Sequence, residues 1–156
     1  MEFIKMTATA LSENHRKEIL ILWNNEYPEK LNYLNPADFE SYLKNLQDQN
    51  HILMIDEKGK VRGWYFDFIR ENEKWFVIIL DSKFQGKGYG KSIVNLAQEK
   101  ETELNAWVID HNKDKKKNGE AYVSPLNFYL KNGFIVLAKN RLELENISAV
   151  KIKWTK

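Results

Sequence analysis

The sequence of 156 residues contains no cysteine and only three prolines. Without cysteine the chain has no disulfide framework, no thiolate nucleophile and no cysteine-based zinc site. No apolar run approaches the roughly 20 residues of a membrane-spanning helix. The segment MEFIKMTATA at the start lacks the basic stretch and the long apolar core of a secretory signal. We therefore expect a cytoplasmic protein that makes no contact with a membrane.

The chain also has little excess of one charge sign, because its 24 lysines and arginines nearly balance its 22 aspartates and glutamates and leave a formal net charge of +2. So small a charge gives no argument for nucleic acid as a partner, and none is expected. Hydrophobic residues make up 43% and charged residues 29% of the chain, an ordinary balance for a globular protein. No internal repeat and no linker rich in proline, glycine and serine interrupts the sequence, so we expect a single domain over residues 1–156.

Apolar periodicity predicts the element order β-α-α-β-β-β-α-β-α-β-β. Ser12 and Asn35 are typical N-cap residues ahead of the first two predicted helices. Three predicted strands follow, HILMID, VRGWYFDFIR and KWFVIILD, and both faces of the last two carry large apolar side chains. Such strands are typical of a sheet that is covered on both faces. The expected fold class is α/β (α+β), a mixed central sheet with helices on both faces.

The segment LDSKFQGKGYGKS, residues 80–92, places three glycines between a predicted strand and a predicted helix. Turns of this kind bind phosphate, because bare backbone N–H groups and the helix N-terminus both face the anion. A P-loop fits poorly, since Gln85 replaces its first glycine and hairpin-connected strands precede the turn. A dinucleotide fingerprint also fits poorly, since Lys91 occupies the place of its last glycine. Asp110 stands where either motif needs an acidic residue, but neither motif explains the N-terminal half of the chain.

A different pattern fits this segment, [RQ]-x-x-G-x-[GA], which runs from Gln85 to Gly90. A second segment, NFYLKNGF at residues 127–134, matches F-Y-x-x-x-G-F in the last predicted helix. The two motifs, and the element order over most of the chain, resemble the GNAT superfamily of acyl-CoA N-acyltransferases. The resemblance implies an N-acetyltransferase that moves an acetyl group from acetyl-CoA to a primary amine of a small molecule or peptide, by direct attack in a ternary complex. A surface turn without a ligand is the alternative.

By this resemblance, backbone amides of the glycine turn bind the pyrophosphate of acetyl-CoA, and the strand before the turn pairs with the pantetheine arm. No metal is expected. Asn112 stands further from Phe128 than the corresponding asparagine of the family, so Ser124 is an alternative at the helix start. The expected cofactor-binding residues are Ile79, Leu80, Gln85, Gly86, Lys87, Gly88, Tyr89, Gly90, Lys91, Ser92, Asn112 and Ser124.

The resemblance also implies roles in catalysis. It places Tyr129 as the acid that protonates the departing thiolate, because a phenol with a pKa of about 10 stays neutral at physiological pH. A backbone N–H near Leu80 would polarise the thioester carbonyl. The general base is left open among four candidates, Asp67, Asp81, Asp110 and His111.

The acceptor site is expected between the first two helices and the strands that face them. Glu26 and Glu29 could attract a cationic amine there, although lone exposed carboxylates are usually just solvated. The segment KDKKKNGEAYV, residues 113–123, is expected as an exposed insertion whose lysines are solvated, or bind the 3′-phosphate of CoA or an acidic substrate. Because no base is obvious and this segment is basic, a non-catalytic acyl-CoA sensor or regulatory module is the alternative function. A homodimer and a monomer are both open. The expected acceptor-site residues are Tyr27, Tyr33, Trp64 and Asp110.

Overall fold

The computed structural model describes all residues from Met1 to Lys156. Its order of strands and helices confirms the predicted order and the mixed α+β class. No helix combines the length and the apolarity needed to cross a bilayer. The elements are β1 (Glu2–Thr7), α1 (Glu13–Glu26), α2 (Pro36–Lys44), β2 (Gln47–Ile55), β3 (Val61–Arg70), β4 (Glu73–Leu80), α3 (Tyr89–Lys100), β5 (Glu103–Val108), α4 (Leu126–Lys131), β6 (Ile135–Leu144) and β7 (Ile147–Thr155).

Local sequence signals set the starts of the first two helices, as predicted. The Ser12 side chain accepts a hydrogen bond from the His15 N–H at 3.0 Å, and His15 in turn accepts from the Ser12 N–H. Asn35 accepts from the Ala37 N–H, with proline at the first position of α2. These bonds satisfy backbone donors that a helix start otherwise leaves unpaired.

Seven strands form one sheet in the order β1-β2-β3-β4-β5-β7-β6, and both of its faces are covered. On one face, Trp23 of α1 and Phe39 of α2 pack on Trp64 and Phe66 of β3. On the opposite face, α3 and α4 pack on the side chains of the central strands that point the other way, such as Tyr65 of β3 and Phe76 of β4. The two-sided apolar strands of the sequence therefore reflect two cores that share one sheet.

The β4–β5 pair is the one parallel pair in the sheet, and its strands meet at a single register position, Trp75 with Asn105. The Asn105 side chain supports this crossing by donating to the Lys74 carbonyl at 3.0 Å. Beyond it the two strands make no further register pair. They therefore diverge toward their carboxyl ends, and the space between residues 76–80 and 106–108 is called here the β4–β5 gap.

Residues 113–123 form a small hairpin, bridged between Lys115 and Ala121, that is largely exposed, as predicted. Asp114 is nevertheless buried, and Lys116 and Tyr122 are partly buried. Within it the Tyr122 N–H donates to the Asp114 carbonyl at 2.9 Å, and the Glu29 N–H joins it to the end of α1 by donating to the Lys115 carbonyl at 2.8 Å. The Asn112 side chain closes its base by accepting from the Ser124 N–H at 2.7 Å. This segment, the 113–123 hairpin, is thus docked beside the C-terminal end of α1.

Candidate active site

Two glycines of the turn between β4 and α3 adopt a backbone conformation that favours glycine. Gly86 has a φ of +75° and Gly88 a φ of +87°, in the left-handed region that other residues avoid. A Cβ added to either residue would meet nothing within 4 Å, so the space above the turn is open. The backbone therefore curls under an exposed hollow at the start of α3.

The third glycine has a different role from the one that the motif suggested. Gly90 is buried, and an added Cβ would lie 3.1 Å from the Phe128 ring and 3.4 Å from the Leu80 side chain. Its missing side chain lets α3 pack directly against α4 and the end of β4. Gly90 thus joins the two motifs by close contact and does not leave space for phosphate.

The turn presents a run of unpaired backbone donors. Helical hydrogen bonding in α3 begins with the Ser92 N–H, which donates to the Gly88 carbonyl at 3.1 Å, and no earlier amide from Gly86 to Lys91 donates within the protein. The Ser92 hydroxyl also donates to Gly88, so its proton is already used. Six consecutive free amides at the N-terminus of a helix are suited to bind an anion.

Side chains around the turn fix its position and leave its lysines free. Gln85 donates to the Leu80 carbonyl at 3.0 Å, which ties the turn to the end of β4. Lys87 lies over the Phe84 ring at 5.6 Å, and Tyr89 also packs near that ring. Lys87 and Lys91 are exposed. Both could approach a phosphate group above the turn.

The edge of β4 that faces the gap carries free amides as well. The Asp81 N–H donates to the Arg62 carbonyl at 2.8 Å, which marks a hydrogen-bonded pair with β3. Such pairs alternate along antiparallel strands, so the amides of Leu80 and Ile78 face away from β3 and into the gap. The Ile79 amide faces β3, and its side chain is buried. A ligand in the gap would therefore meet Ile78 and Leu80, rather than the predicted Ile79.

Tyr129 lies beside the gap, where the sequence placed the catalytic acid. Its ring packs on Phe76 and Phe134 at centroid distances of 5.8 and 5.4 Å. Burial raises the pKa of the Tyr129 phenol above its ordinary value, and the nearby phenol of Tyr122 raises it further. The phenol therefore keeps its proton over the physiological range, as a proton donor must.

Tyr129 belongs to a group of three tyrosines that we call the tyrosine cluster: Tyr27, Tyr122 and Tyr129. The Tyr27 and Tyr122 rings are 6.3 Å apart, edge to face. Burial raises the pKa of Tyr27, and the phenols of Tyr122 and Tyr129 add to that rise. Tyr27 packs with the α1 core and Tyr129 with the α4 core, on opposite faces of the sheet. Their phenols approach each other because the strands between them are splayed.

Tyr122 is the member of this cluster that sequence reasoning missed. It lies in the 113–123 hairpin, which is outside both sequence motifs and which we expected to be an exposed insertion. Its one sequence signal was an aromatic residue in an otherwise polar and basic segment. Burial raises the pKa of Tyr122, and the Asp114 carboxylate raises it further.

The strand-end carboxylates proposed as general bases are already engaged. Asp81 accepts from the Lys83 N–H at 2.9 Å and from Arg62 at 3.1 Å, which makes it a cap of the turn after β4. Asp110 accepts from both terminal nitrogens of Arg141 at 2.9 and 3.0 Å. The hydrogen bond from Arg141 is the main cause that lowers the pKa of Asp110. Both carboxylates are thus weak candidates to take a proton from an amine.

The other two base candidates are placed no better. His111 Nδ1 accepts from the Lys113 N–H at 3.1 Å, so the lone pair that a base needs is in use. Asp67 is buried, and it accepts from the Tyr65 hydroxyl at 2.6 Å and from Asn50 at 3.0 Å. Its register partner on β4 is Phe76, which lies about 13 Å along the strand from Leu80.

Several other predicted site residues serve the fold in this structure. Trp64 is fully buried and donates to His51 at 3.0 Å, so it does not line an acceptor site. Tyr33 packs on Trp23, and its backbone is held by Asn24, beside α1 and α2. Ser124 and Asn112 are bonded to each other at the base of the hairpin, near the start of α4.

No protein-family model matches the sequence, and no curated protein is significantly similar to it. Solved structures do match the fold. An aminoglycoside 6′-N-acetyltransferase complexed with coenzyme A has a TM-score of 0.72 at 12% identity, over 99% of this chain and 97% of that one. A mutant of the spermidine N-acetyltransferase SpeG from Vibrio cholerae has a TM-score of 0.65 at 16% identity, over 99% and 95%.

A third structure, a GNAT superfamily phosphinothricin acetyltransferase from Sinorhizobium meliloti in complex with AcCoA, has a TM-score of 0.63 at 14% identity, over 99% of this chain and 89% of that one. Identities this low bear on the fold alone. The chain therefore has the GNAT acetyltransferase fold, as its two motifs predicted.

Proposed function

We propose that the chain is an acetyl-CoA-dependent N-acetyltransferase that acts on a primary amine of a small molecule or peptide. The observation that supports this most is that the free amides of the glycine turn lie close to Tyr129, because Gly90 contacts Phe128 and the Tyr129 ring packs on Phe76 of β4. The structural neighbours solved with coenzyme A or AcCoA agree with such a ligand. The cysteine-free composition agrees with a cytoplasmic location, which the proposal includes.

The donor half of the reaction follows from the backbone. The pyrophosphate of acetyl-CoA accepts from the amides of residues 86–91 at the N-terminus of α3, and the exposed Lys87 and Lys91 add positive charge. The pantetheine arm lies along the open edge of β4 in the place of a neighbouring strand and accepts from the Ile78 N–H, which leaves the Leu80 N–H for the thioester. The thioester then lies at the Leu80 end, where the two strands are furthest apart.

The chemical step is a direct transfer. The neutral amine attacks the thioester carbonyl, whose oxygen accepts from the Leu80 N–H, and a C–N bond forms. The C–S bond then breaks, Tyr129 gives its proton to the thiolate, and the proton lost by the amine nitrogen returns to the phenolate through solvent. Because the nearby carboxylates are paired, the acceptor gives its first proton to solvent before it attacks.

Two measurements test this proposal. Calorimetry should detect acetyl-CoA binding, and absence of heat at high micromolar cofactor would count heavily against the assignment. A screen of primary amines should release free CoA, detected as thiol. Binding without turnover of any amine would favour the alternative, an acyl-CoA sensor, which the lack of an unpaired base near the gap also supports.

A further inference from the structure

Two ion pairs fix the 113–123 hairpin against the mouth of the gap. Lys116 lies 3.1 Å from Glu26, and their side chains are only 14% and 10% exposed. The other oxygen of Glu26 accepts from the Ser82 N–H at 3.0 Å, so the same carboxylate also contacts the turn after β4. Asp114 pairs with Lys30 at 2.8 Å and is 9% exposed. The hairpin is therefore a fixed wall beside the expected position of the thioester.

This wall presents an aromatic surface to the gap. Tyr122 packs edge to face on Tyr27, and Tyr27 packs in the same way on Trp23 at 4.7 Å. Tyr129 completes the surface from the opposite face of the sheet. The three phenols are uncharged, so the cluster offers apolar ring area with a few hydroxyl groups.

The carboxylates around this surface offer little free negative charge. Glu26, Asp81, Asp110 and Asp114 each lie within 3.1 Å of a lysine or arginine nitrogen. Glu29 and Glu120 are exposed to solvent, where water and salt screen their charge. Among the oxygens of these carboxylates, only Oδ2 of Asp114 is buried without a hydrogen-bond partner, and the other oxygen of that carboxylate pairs with Lys30. A substrate with several ammonium groups would therefore have to leave bulk water for a site whose carboxylates already face cations.

We propose that the acceptor is a primary amine carried on an aromatic or apolar group, and that Tyr122 determines this specificity by forming the wall against which that group packs. The inference rests on the proposed N-acetyltransferase function. It separates this chain from the structural neighbours whose names give spermidine or aminoglycosides as substrates, because those molecules carry several positive charges.

The test compares 2-phenylethylamine with spermidine under saturating acetyl-CoA, with thiol release as the readout. We expect kcat/KM for 2-phenylethylamine to exceed that for spermidine by about tenfold or more, the range that one apolar pocket contact provides. Tyr122→Ala should lower kcat/KM for 2-phenylethylamine by about tenfold, mainly through KM, and should leave the acetyl-CoA Kd unchanged. Tyr122→Phe should keep most of the activity, since the ring remains.

Val123→Ala, an exposed change next to Tyr122 in the same hairpin, is the matched control and should leave both amines unaffected. Thermal unfolding of Tyr122→Ala shows whether the variant stays folded, and Tyr122→Leu, which removes the ring but keeps an apolar side chain, replaces it if it does not. A preference for spermidine, or an unchanged preference in a folded Tyr122→Ala or Tyr122→Leu protein, would overturn the inference while leaving the N-acetyltransferase intact. Thiol release from no amine at all would instead contradict the proposed function, and the inference with it.

Discussion

Gly90 and Phe128 are in direct contact, although they belong to separate motifs. The missing side chain of Gly90 brings the backbone of α3 so close that an added Cβ would lie 3.1 Å from the Phe128 ring. Because Tyr129 follows Phe128 in α4, this contact fixes the distance between the anion-binding turn and the phenol. The two motifs form one structural unit around the end of β4.

Gly90→Val should therefore destabilise the fold. The branched side chain must displace Phe128 or Leu80, and overpacking of this kind costs about 1–3 kcal/mol, despite the gain in helix propensity when a glycine is replaced. Urea denaturation measures the free energy of unfolding. Lys91→Val is the control, since it places the same side chain on the exposed face of the same helix. Equal stability of the two variants would show that the Gly90 contact is loose.

Gly88→Val should abolish acetyl-CoA binding in calorimetry. Valine at a φ of +87° strains the turn, and its side chain would point into the open hollow above the free amides. Gly59→Val is a matched control, because Gly59 has a φ of +79° and equally open surroundings in the turn between β2 and β3. We expect that control to lose stability but to keep cofactor affinity. Tight binding by a folded Gly88→Val protein would mean that this turn does not hold the pyrophosphate.

The contrast between local and distant contacts explains how much the sequence could predict. Helix starts at Ser12 and Asn35, and the glycine turn at residues 86–88, depend on neighbours in the chain and were predicted correctly. The pairing of Glu26 with Lys116 joins residues 90 positions apart, and no local pattern indicates it. Tyr122 was missed for the same reason, since the docking of the hairpin depends on such distant pairs.

The ion pairs of two candidates for the general base were also missed, because their partners are distant in the chain. A carboxylate at a strand end is a reasonable base in sequence, and only the fold reveals its partner. Arg141 is 31 positions from Asp110, and Arg62 is 19 positions from Asp81. The resemblance to a family could suggest residue types for the site, but the pairing of these charges is particular to this chain.

Tyr129→Phe should lower kcat by about 10²-fold or more, the usual contribution of a positioned acid, with little change in acetyl-CoA affinity. The ring packing on Phe76 and Phe134 is kept, so only the proton donor is lost. Steady-state thiol release and calorimetry measure the two effects. Tyr42→Phe, which removes a hydroxyl from the aromatic core beside α2, serves as the control. Unchanged kcat would remove Tyr129 from the role of acid.

The pH dependence of kcat/KM should follow the acceptor. Since the carboxylates near the gap are paired, the rate rises with pH as the amine loses its proton, and it levels off near the pKa of the free amine. The raised pKa of Tyr129 keeps the acid protonated, so no decline is expected until above the ordinary phenol value of about 10. His111→Gln should leave the profile unchanged. A break in the profile that this substitution abolishes would identify His111 as the base.

His51 should make the fold less stable in mild acid. Burial lowers the pKa of His51 to about 4 from an ordinary 6.5, because the ring is enclosed by the core, where the charged form loses its hydration. Between these two values the unfolded chain binds a proton that the native state does not. The free energy of unfolding therefore falls as pH falls through this window, by at most about 1.4 kcal/mol per unit. Urea denaturation at pH 7 and pH 5 should show this slope, and it should persist in His15→Gln but flatten in His51→Gln. A His51→Gln protein with the full slope would assign the acid sensitivity to other groups.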